Sequence, residues 1–332
     1  MLKKVVLVSM LLAFVVVVFG AFVRLSDAGL GCPDWPGCYG HISVPESEVA
    51  LQNAQQNFPE RKVEAGKAWV EMTHRYLAGT LGLLILSIAI LSWRNKKNTT
   101  PVKLPIVLVG LVGLQALLGM WTVTLLLKPV IVTLHLLGGM TILSMLAWLS
   151  MGQIAPQTYS SFKPLRNLRN WAVIGILILL MQIALGGWVS SNYAALACGD
   201  EFPLCQSQWM PPVDFQHGFQ FIRELGVTVA GAPLSIEALS AIHWMHRVGA
   251  LITFLYLMLL GIAACRVLAL RTYGGLLLLF LGLQVSIGIA NVVMSLPLHL
   301  AVAHNAGAAL LLVALVALNF KLRQGNDGLY QS

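Results

Sequence analysis

Charged side chains are scarce in this 332-residue chain: they make up 10% of it, whereas apolar residues make up 58%. Soluble globular domains carry roughly 25% charged residues, so the composition excludes that class. An Ala-x-Ala-like cleavage site and an Arg- and Ser-rich transit peptide are both missing near the N-terminus. We therefore expect Met-Leu-Lys-Lys to lead directly into a retained membrane span.

Long apolar runs are plentiful instead. A helix of about 20 residues crosses a hydrocarbon core of roughly 30 Å. Suitable runs lie at residues 5–23, 72–93, 104–127, 130–152, 171–190, 242–264, 273–295 and 299–319. The sequence therefore predicts an all-α membrane protein with eight transmembrane helices.

Basic residues fall on one side of the membrane if the eight helices alternate in direction. That side would hold Lys3, Lys4, Arg94, Lys96, Lys97, Lys103, Lys163, Arg166, Arg169, Arg266, Arg271, Lys321 and Arg323. Of the 13 acidic residues only Asp327 lies with them. This asymmetry predicts cytoplasmic termini in a bacterial inner membrane, and it explains the net charge of +8 without a nucleic-acid partner.

The second half of the chain repeats motifs of the first. The matching segments are Glu71-x-x-His74-Arg75 with His135, and His243-x-x-His246-Arg247 with His304. Gly113-Leu-Gln115 precedes its histidine by the same number of residues as Gly282-Leu-Gln284. We predict that residues 1–160 and 161–332 form two tandem four-helix bundles, related by a pseudo-twofold axis along the membrane normal.

The four repeated histidines share one depth in this topology. His74, His135, His246 and His304 would occupy the first turn or two of even-numbered helices, at their outer ends. Two imidazoles from facing helices can hold a haem iron through both axial positions, so we predict one haem in each half. Interfacial histidines bonded to loop backbone explain a single copy but explain a duplicated set poorly. Zinc is disfavoured because no third ligand lies near the paired histidines in sequence.

Three neighbours of these histidines suggest specific roles. Arg75 and Arg247 could each pair with a haem propionate, although a lone interfacial arginine also snorkels to the membrane surface. Glu71 lies one turn before the first histidine, where the second copy has His243. A carboxylate there could exchange protons during oxidation of a haem substituent, and a first-turn Glu is also favoured by the helix dipole. The asymmetry favours chemistry in the first half.

Cysteine is rare, yet four of the five cysteines form two close pairs in the outer loops. The pairs are Cys32 with Cys38 and Cys198 with Cys205. An oxidising exterior favours disulfides, which would staple the loops, and a redox role for the first pair stays open. Amphipathic patterns at residues 49–67 and 219–229 predict loop helices over the haem sites.

Glycines and glutamines recur on the odd-numbered helices. Examples are Gly113, Gln115, Gly119, Gln182, Gly186, Gly282, Gln284 and Gly288. We interpret the glycines as sites of close helix packing and the glutamines as bridges between helices.

In their order along the chain, these motifs resemble those of the haem A synthases, of the bacterial type with cysteine pairs. The resemblance covers essentially the whole chain and includes the segment Gly20-Ala-Phe-Val-Arg24-Leu-Ser-Asp-Ala-Gly29-Leu-Gly-Cys32-Pro-Asp-Trp-Pro-Gly-Cys38. It implies an oxidoreductase that converts a methyl substituent of haem O to the formyl group of haem A by successive hydroxylations, for cytochrome oxidase assembly. The family's disulfides match both cysteine pairs.

The resemblance also implies a division of labour between the halves. The N-terminal half would bind haem O through His74 and His135, with Glu71 assisting proton movement. The C-terminal half would hold a permanent haem b through His246 and His304 and pass electrons on. Both haem sites would lie towards the periplasm.

Several partners follow from this activity. A haem O synthase would hand over the substrate, a quinone is one candidate for the unidentified electron acceptor, membrane lipid surrounds the helices, and a homo-oligomer is left open. The competing interpretation is a non-enzymatic di-haem b-type electron-transfer cytochrome, which would need haems near both membrane faces. A haem or quinone transporter would need polar or broken helices at mid-membrane.

Overall fold

A computed structural model describes residues 1–95, 102–154 and 166–327. Lys96, Lys97, Lys163 and the predicted boundary between residues 160 and 161 lie outside these ranges. The helices are α1 (Leu2–Leu25), α2 (Glu48–Asn57), α3 (Ala65–Arg94), α4 (Lys103–Thr124), α5 (Pro129–Ile154), α6 (Arg166–Ser191), α7 (Phe215–Gly218), α8 (Ile236–Cys265), α9 (Arg271–Val293) and α10 (Leu298–Asp327). Within the described ranges, eight helices are long and apolar enough to cross a membrane, which confirms the predicted all-α fold with eight spans.

Two spanning helices begin further out than their apolar runs predict. Helix α3 starts at Ala65, and α8 starts at Ile236, where the Ser235 side chain accepts a hydrogen bond of 3.2 Å from a backbone N–H of the first turn. These extra turns pack against the outer loops rather than lipid, so hydropathy does not reveal them. We predicted that His74 and His246 lie in the first or second turn of their helices. This prediction is wrong, because both lie in the third turn.

The spanning helices make two sets of neighbouring contacts. Helix α1 contacts α3 and α5, and α4 contacts the same two helices. In the C-terminal half, α8 and α10 each contact both α6 and α9. Contacts of α1 with α10, of α5 with α6 and of α5 with α10 join the two sets. The pseudo-twofold axis and the cytoplasmic position of the termini remain predictions.

A continuous apolar core runs through both sets of helices. It includes Met140, Leu143 and Leu146 on α5 together with Leu311 and Leu315 on α10, all of them buried. Because lipid is as apolar as these side chains, close packing rather than exclusion of water stabilises such contacts in a membrane. This shared core holds the two halves against each other below the histidines.

The outer loops are folded segments with small cores of their own. Helix α2 (Glu48–Asn57) confirms the loop helix predicted at residues 49–67 only in part. Residues 58–64 are not helical, and residues 65–67 already belong to α3. The helix predicted at residues 219–229 is wrong. There the loop turns around the buried Arg223, whose Nη1 donates to the carbonyls of Glu224 and Val227 at 3.3 Å, and Gly226 adopts φ +78°. The loop therefore follows this side chain instead of forming a helix.

Candidate functional site

Each of the four histidine rings packs against a glycine on the neighbouring helix. The pairs are His74 with Gly20, His135 with Gly119, His246 with Gly186 and His304 with Gly288. A Cβ at Gly20 would lie 2.8 Å from His74 Nε2, and one at Gly288 would lie 2.9 Å from His304 Cε1. These glycines therefore make room for imidazole rings, which corrects the interpretation as helix-to-helix contacts. At Gly113 and Gly282 an added Cβ would meet nothing within 4 Å.

The rings come together in the pairs that the repeat indicates. His74 and His135 are close enough to interact electrostatically, and so are His246 and His304. Each pair lies within one set of four spanning helices and draws its members from two different helices. Each half of the molecule thus offers two imidazoles within one group of packed helices.

The residues present fit haem. A haem iron with two axial positions takes one imidazole on each face, and the apolar helix surfaces suit the macrocycle. In the described part of the chain, Arg247 Nη2 is buried without a hydrogen-bond partner. Buried donors of this kind are normally satisfied, and a carboxylate such as a haem propionate would satisfy this one.

Glu71 is buried between the first disulfide loop and Arg75. One carboxylate oxygen accepts the backbone N–H of Cys32 at 2.9 Å, and the other pairs with Arg75 Nη2. Arg75 Nη1 donates to backbone carbonyls inside the loop, including that of Asp34 at 2.9 Å and that of Gly37. The predicted propionate contact of Arg75 would therefore compete with these bonds.

The second half repeats this arrangement without the carboxylate. Arg247 Nη1 donates to the carbonyl of Leu204 at 2.7 Å, inside the second disulfide loop. Its Nε lies 3.3 Å from His243 Nε2, where the first half has an ion pair with Glu71. Both arginines thus hold a loop onto a histidine-bearing helix, but only the first also holds a carboxylate.

Both predicted cysteine pairs are bonded. Cys32 is joined to Cys38 and Cys198 to Cys205, whereas Cys265 is a free thiol. The disulfides close the loop segments to which Arg75 and Arg247 donate. This finding confirms the pairing, and Cys32 of the first disulfide is also the residue whose backbone N–H donates to Glu71.

One polar cluster between the halves escaped prediction. Arg24, at the end of α1, donates to the carbonyl of Ser190 at 2.7 Å and lies 4.2 Å from the centre of the Tyr193 ring. The Tyr193 hydroxyl donates to Asp27 at 2.8 Å. Partial desolvation of the half-exposed Tyr193 hydroxyl, together with its bond to Asp27, raises the pKa of this group above its ordinary value. The sequence signal that could have revealed this cluster is Arg24 itself, a charged residue at the end of an apolar helix and inside the Gly20–Cys38 motif.

Paired histidines on spanning helices, beneath loops closed by disulfides, define a multi-pass membrane protein with two candidate haem sites. The chain belongs to the cytochrome oxidase assembly protein family, whose model matches residues 3–316. It is 45% identical over 315 residues to a haem A synthase of Shewanella oneidensis, covering 95% of this chain and 94% of that protein. It is also 29% identical over 319 residues to a haem A synthase of Chelativorans sp., covering 90% of this chain and 84% of that protein. These matches confirm the resemblance seen in the motifs.

Proposed function

We propose that this chain is a haem A synthase of a bacterial inner membrane, which converts haem O to haem A. The observation that carries the proposal is the arrangement of four histidines as two matched pairs, with a buried carboxylate beside one pair. The names of the relatives support the same activity. Both sites would lie towards the periplasm.

The N-terminal half is proposed to bind the substrate. His74 and His135 would hold haem O, which supplies the methyl group to be oxidised and a redox-active iron. Both rings lie among the packed helices of the N-terminal half. The division into a substrate half, residues 1–160, and a cofactor half, residues 161–332, follows from the carboxylate being present in the first alone.

Glu71 is proposed to move protons in the first half. With water as the oxygen source, replacing a C–H bond by C–OH releases two protons and two electrons. The electrons would leave through the acceptor proposed below, and a nearby base would take up protons. Arg75 and the Cys32 N–H hold both oxygens of the Glu71 carboxylate and keep it oriented. In the second half, His243 bonded to Arg247 offers no comparable anion.

His246 and His304 are proposed to hold a resident haem b that passes electrons to an acceptor such as a quinone. Arg247, which keeps one buried donor without a partner among the described residues, is the stronger candidate for a propionate contact. Arg75 would serve mainly to hold the loop and Glu71. A haem O synthase in the same membrane would supply the substrate.

Pigment analysis tests the activity directly. We expect cells that express this chain together with a haem O synthase to contain haem A, identified by its mass after extraction. Haem O alone would contradict the proposal and would instead favour an electron-transfer cytochrome.

We also expect His246→Ala and His304→Ala each to remove the low-spin haem b spectrum, and a spectrum retained in both would contradict the ligand assignment.

A further inference from the structure

Three of the four histidine-bearing helix pairs share a further pattern. A glutamine lies four residues before the glycine that faces the ring, and a second glycine lies three residues after the histidine. The sets are Gln115, Gly119, His135 and Gly138; Gln182, Gly186, His246 and Gly249; and Gln284, Gly288, His304 and Gly307. The pair that carries His74 has Val16 and Leu77 at these two positions.

The second glycine of each set makes room for the glutamine. A Cβ at Gly249 would collide with Gln182 Oε1, and one at Gly307 would collide with Gln284 Oε1. Gly138 stands in the same relation to Gln115. The glutamine and the second glycine therefore occur together for a steric reason. In the helix pair that carries His74, where Val16 replaces the glutamine, the glycine is also absent and Leu77 stands in its place.

Gln182 makes closer contact with its histidine than the other two glutamines do. Its Nε2 lies 3.0 Å from His246 Nδ1 and donates to the His246 carbonyl, also at 3.0 Å. Gln115 Nε2 donates to the main-chain carbonyl of His135 at 3.1 Å. Gln284 Nε2 lies 3.3 Å from Nε2 of the His304 ring. Gln182 thus contacts Nδ1, the ring nitrogen of His246 that is free to form a hydrogen bond when Nε2 binds iron.

We propose that Gln182 is a positioning residue that holds His246 through Nδ1 as the permanent axial ligand of haem b. The inference rests on the proposed function and adds to it the group that orients the ligand. An imidazole that ligates through Nε2 carries its proton on Nδ1, and a partner for that N–H fixes the ring and raises its basicity. Turning the Gln182 amide gives up its bond to the His246 carbonyl and brings Oε1, which is buried without a partner in the described ranges, to Nδ1 as the acceptor of that proton.

The first half supports its ligand differently. There the side-chain amide of Gln115 donates to the main chain of His135, and the position beside His74 that corresponds to Gln182 is Val16. Of the three glutamines, Gln182 is the one that contacts Nδ1 of its histidine. A side chain can be changed, which makes the role of Gln182 open to a direct test.

The test compares two substitutions at Gln182 with a matched control. Gln182→Met keeps the length of the side chain but removes the amide, Gln182→Glu keeps an acceptor and adds charge, and Gln115→Met removes the corresponding amide in the other half. Purified holoprotein is titrated potentiometrically, following the haem component that His246→Ala lacks. Retention of that haem is measured by its transfer to excess apomyoglobin.

We expect Gln182→Met to weaken haem retention by about 10–100-fold, the usual effect of losing such a partner. Its reduction potential should rise, because a less basic imidazole stabilises ferric iron less. Gln182→Glu should lower the potential, and Gln115→Met should leave this component unchanged. An unchanged potential in Gln182→Met would overturn the inference, including the case where retention falls through packing alone. Wild-type protein without any histidine-ligated haem would contradict the proposed haem sites and the inference with them.

Discussion

Among single residues, Glu71 and His243 separate the two halves most clearly. They occupy equivalent positions, each beside an arginine that holds a disulfide loop. The carboxylate of Glu71 is held in place by its arginine, whereas the corresponding imidazole–guanidinium contact of the second half contains no carboxylate. The same scaffold therefore places a carboxylate beside one pair of histidines and an imidazole beside the other.

Glu71→Gln should leave haem O bound but reduce haem A formation by about 100-fold or more, the range expected for loss of a general base. The amide keeps an oxygen that can accept the Cys32 N–H, so the loop should stay in place. Haem A and haem O are extracted and quantified by mass. His243→Gln is the matched control and should stay near wild type; equal losses in both variants would contradict the special role of Glu71.

Sequence could predict the histidines but not their surroundings. Their spacing within a repeat is visible without a structure, and so is the pairing of the cysteines. Gln182 and His246 are 64 residues apart in sequence and lie on different helices. From sequence alone, a glutamine on an apolar helix that bonds to a main-chain carbonyl cannot be told from one that supports a ligand histidine. The bonds from Arg75 to Asp34 and Gly37 depend on a loop conformation that no periodicity encodes.

Among the structural elements, the two disulfide loops are folded segments that cover the outer ends of α3 and α8. The first loop has a small core containing Cys32, Tyr39 and Ala54, packed on Met72 of α3. Burial raises the pKa of the Tyr39 hydroxyl, which donates to the carbonyl of Lys62 at 3.1 Å. Hydropathy predicted the eight spans but started α3 and α8 too late in the sequence, because outer loops rather than lipid cover the first turns of these two helices.

Removing the first disulfide with Cys32→Ser and Cys38→Ser should destabilise the loop by about 2 kcal/mol, as expected for a short closed segment. The Cys32 N–H would then hold Glu71 less firmly, so the ratio of haem A to haem O should fall while the haem b spectrum persists. Pigment extraction and reduced-minus-oxidised spectra measure both quantities. Cys198→Ser with Cys205→Ser should instead weaken haem b retention. Indistinguishable spectra and pigment ratios in the two double variants would contradict this separation of roles.

For the whole molecule, orientation in the membrane is the first property to test. In a Cys265→Ser background, a cysteine at exposed Ser43 in the first outer loop should react with a membrane-impermeant maleimide in intact spheroplasts. A cysteine at exposed Asn95, at the opposite end of α3, should react only after permeabilisation. Mass shifts on gels report the labelling. The reverse pattern would place the histidine sites on the cytoplasmic side.

The two halves also depend on each other at the outer face, where Arg24 joins the end of α1 to the end of α6. Arg24→Met would leave the Ser190 carbonyl without this donor and remove the cation from the Tyr193 ring, at an expected cost of about 1–3 kcal/mol in unfolding free energy. Arg323 supplies the control, because it is exposed and only stacks over Trp148 at 5.8 Å, a contact worth roughly 0.5–1 kcal/mol. Thermal unfolding in detergent, followed by circular dichroism, should therefore show a larger drop for Arg24→Met than for Arg323→Met. Equal drops would mean that the apolar core alone joins the halves, and that the Arg24 cluster serves its own loop rather than the joint between them.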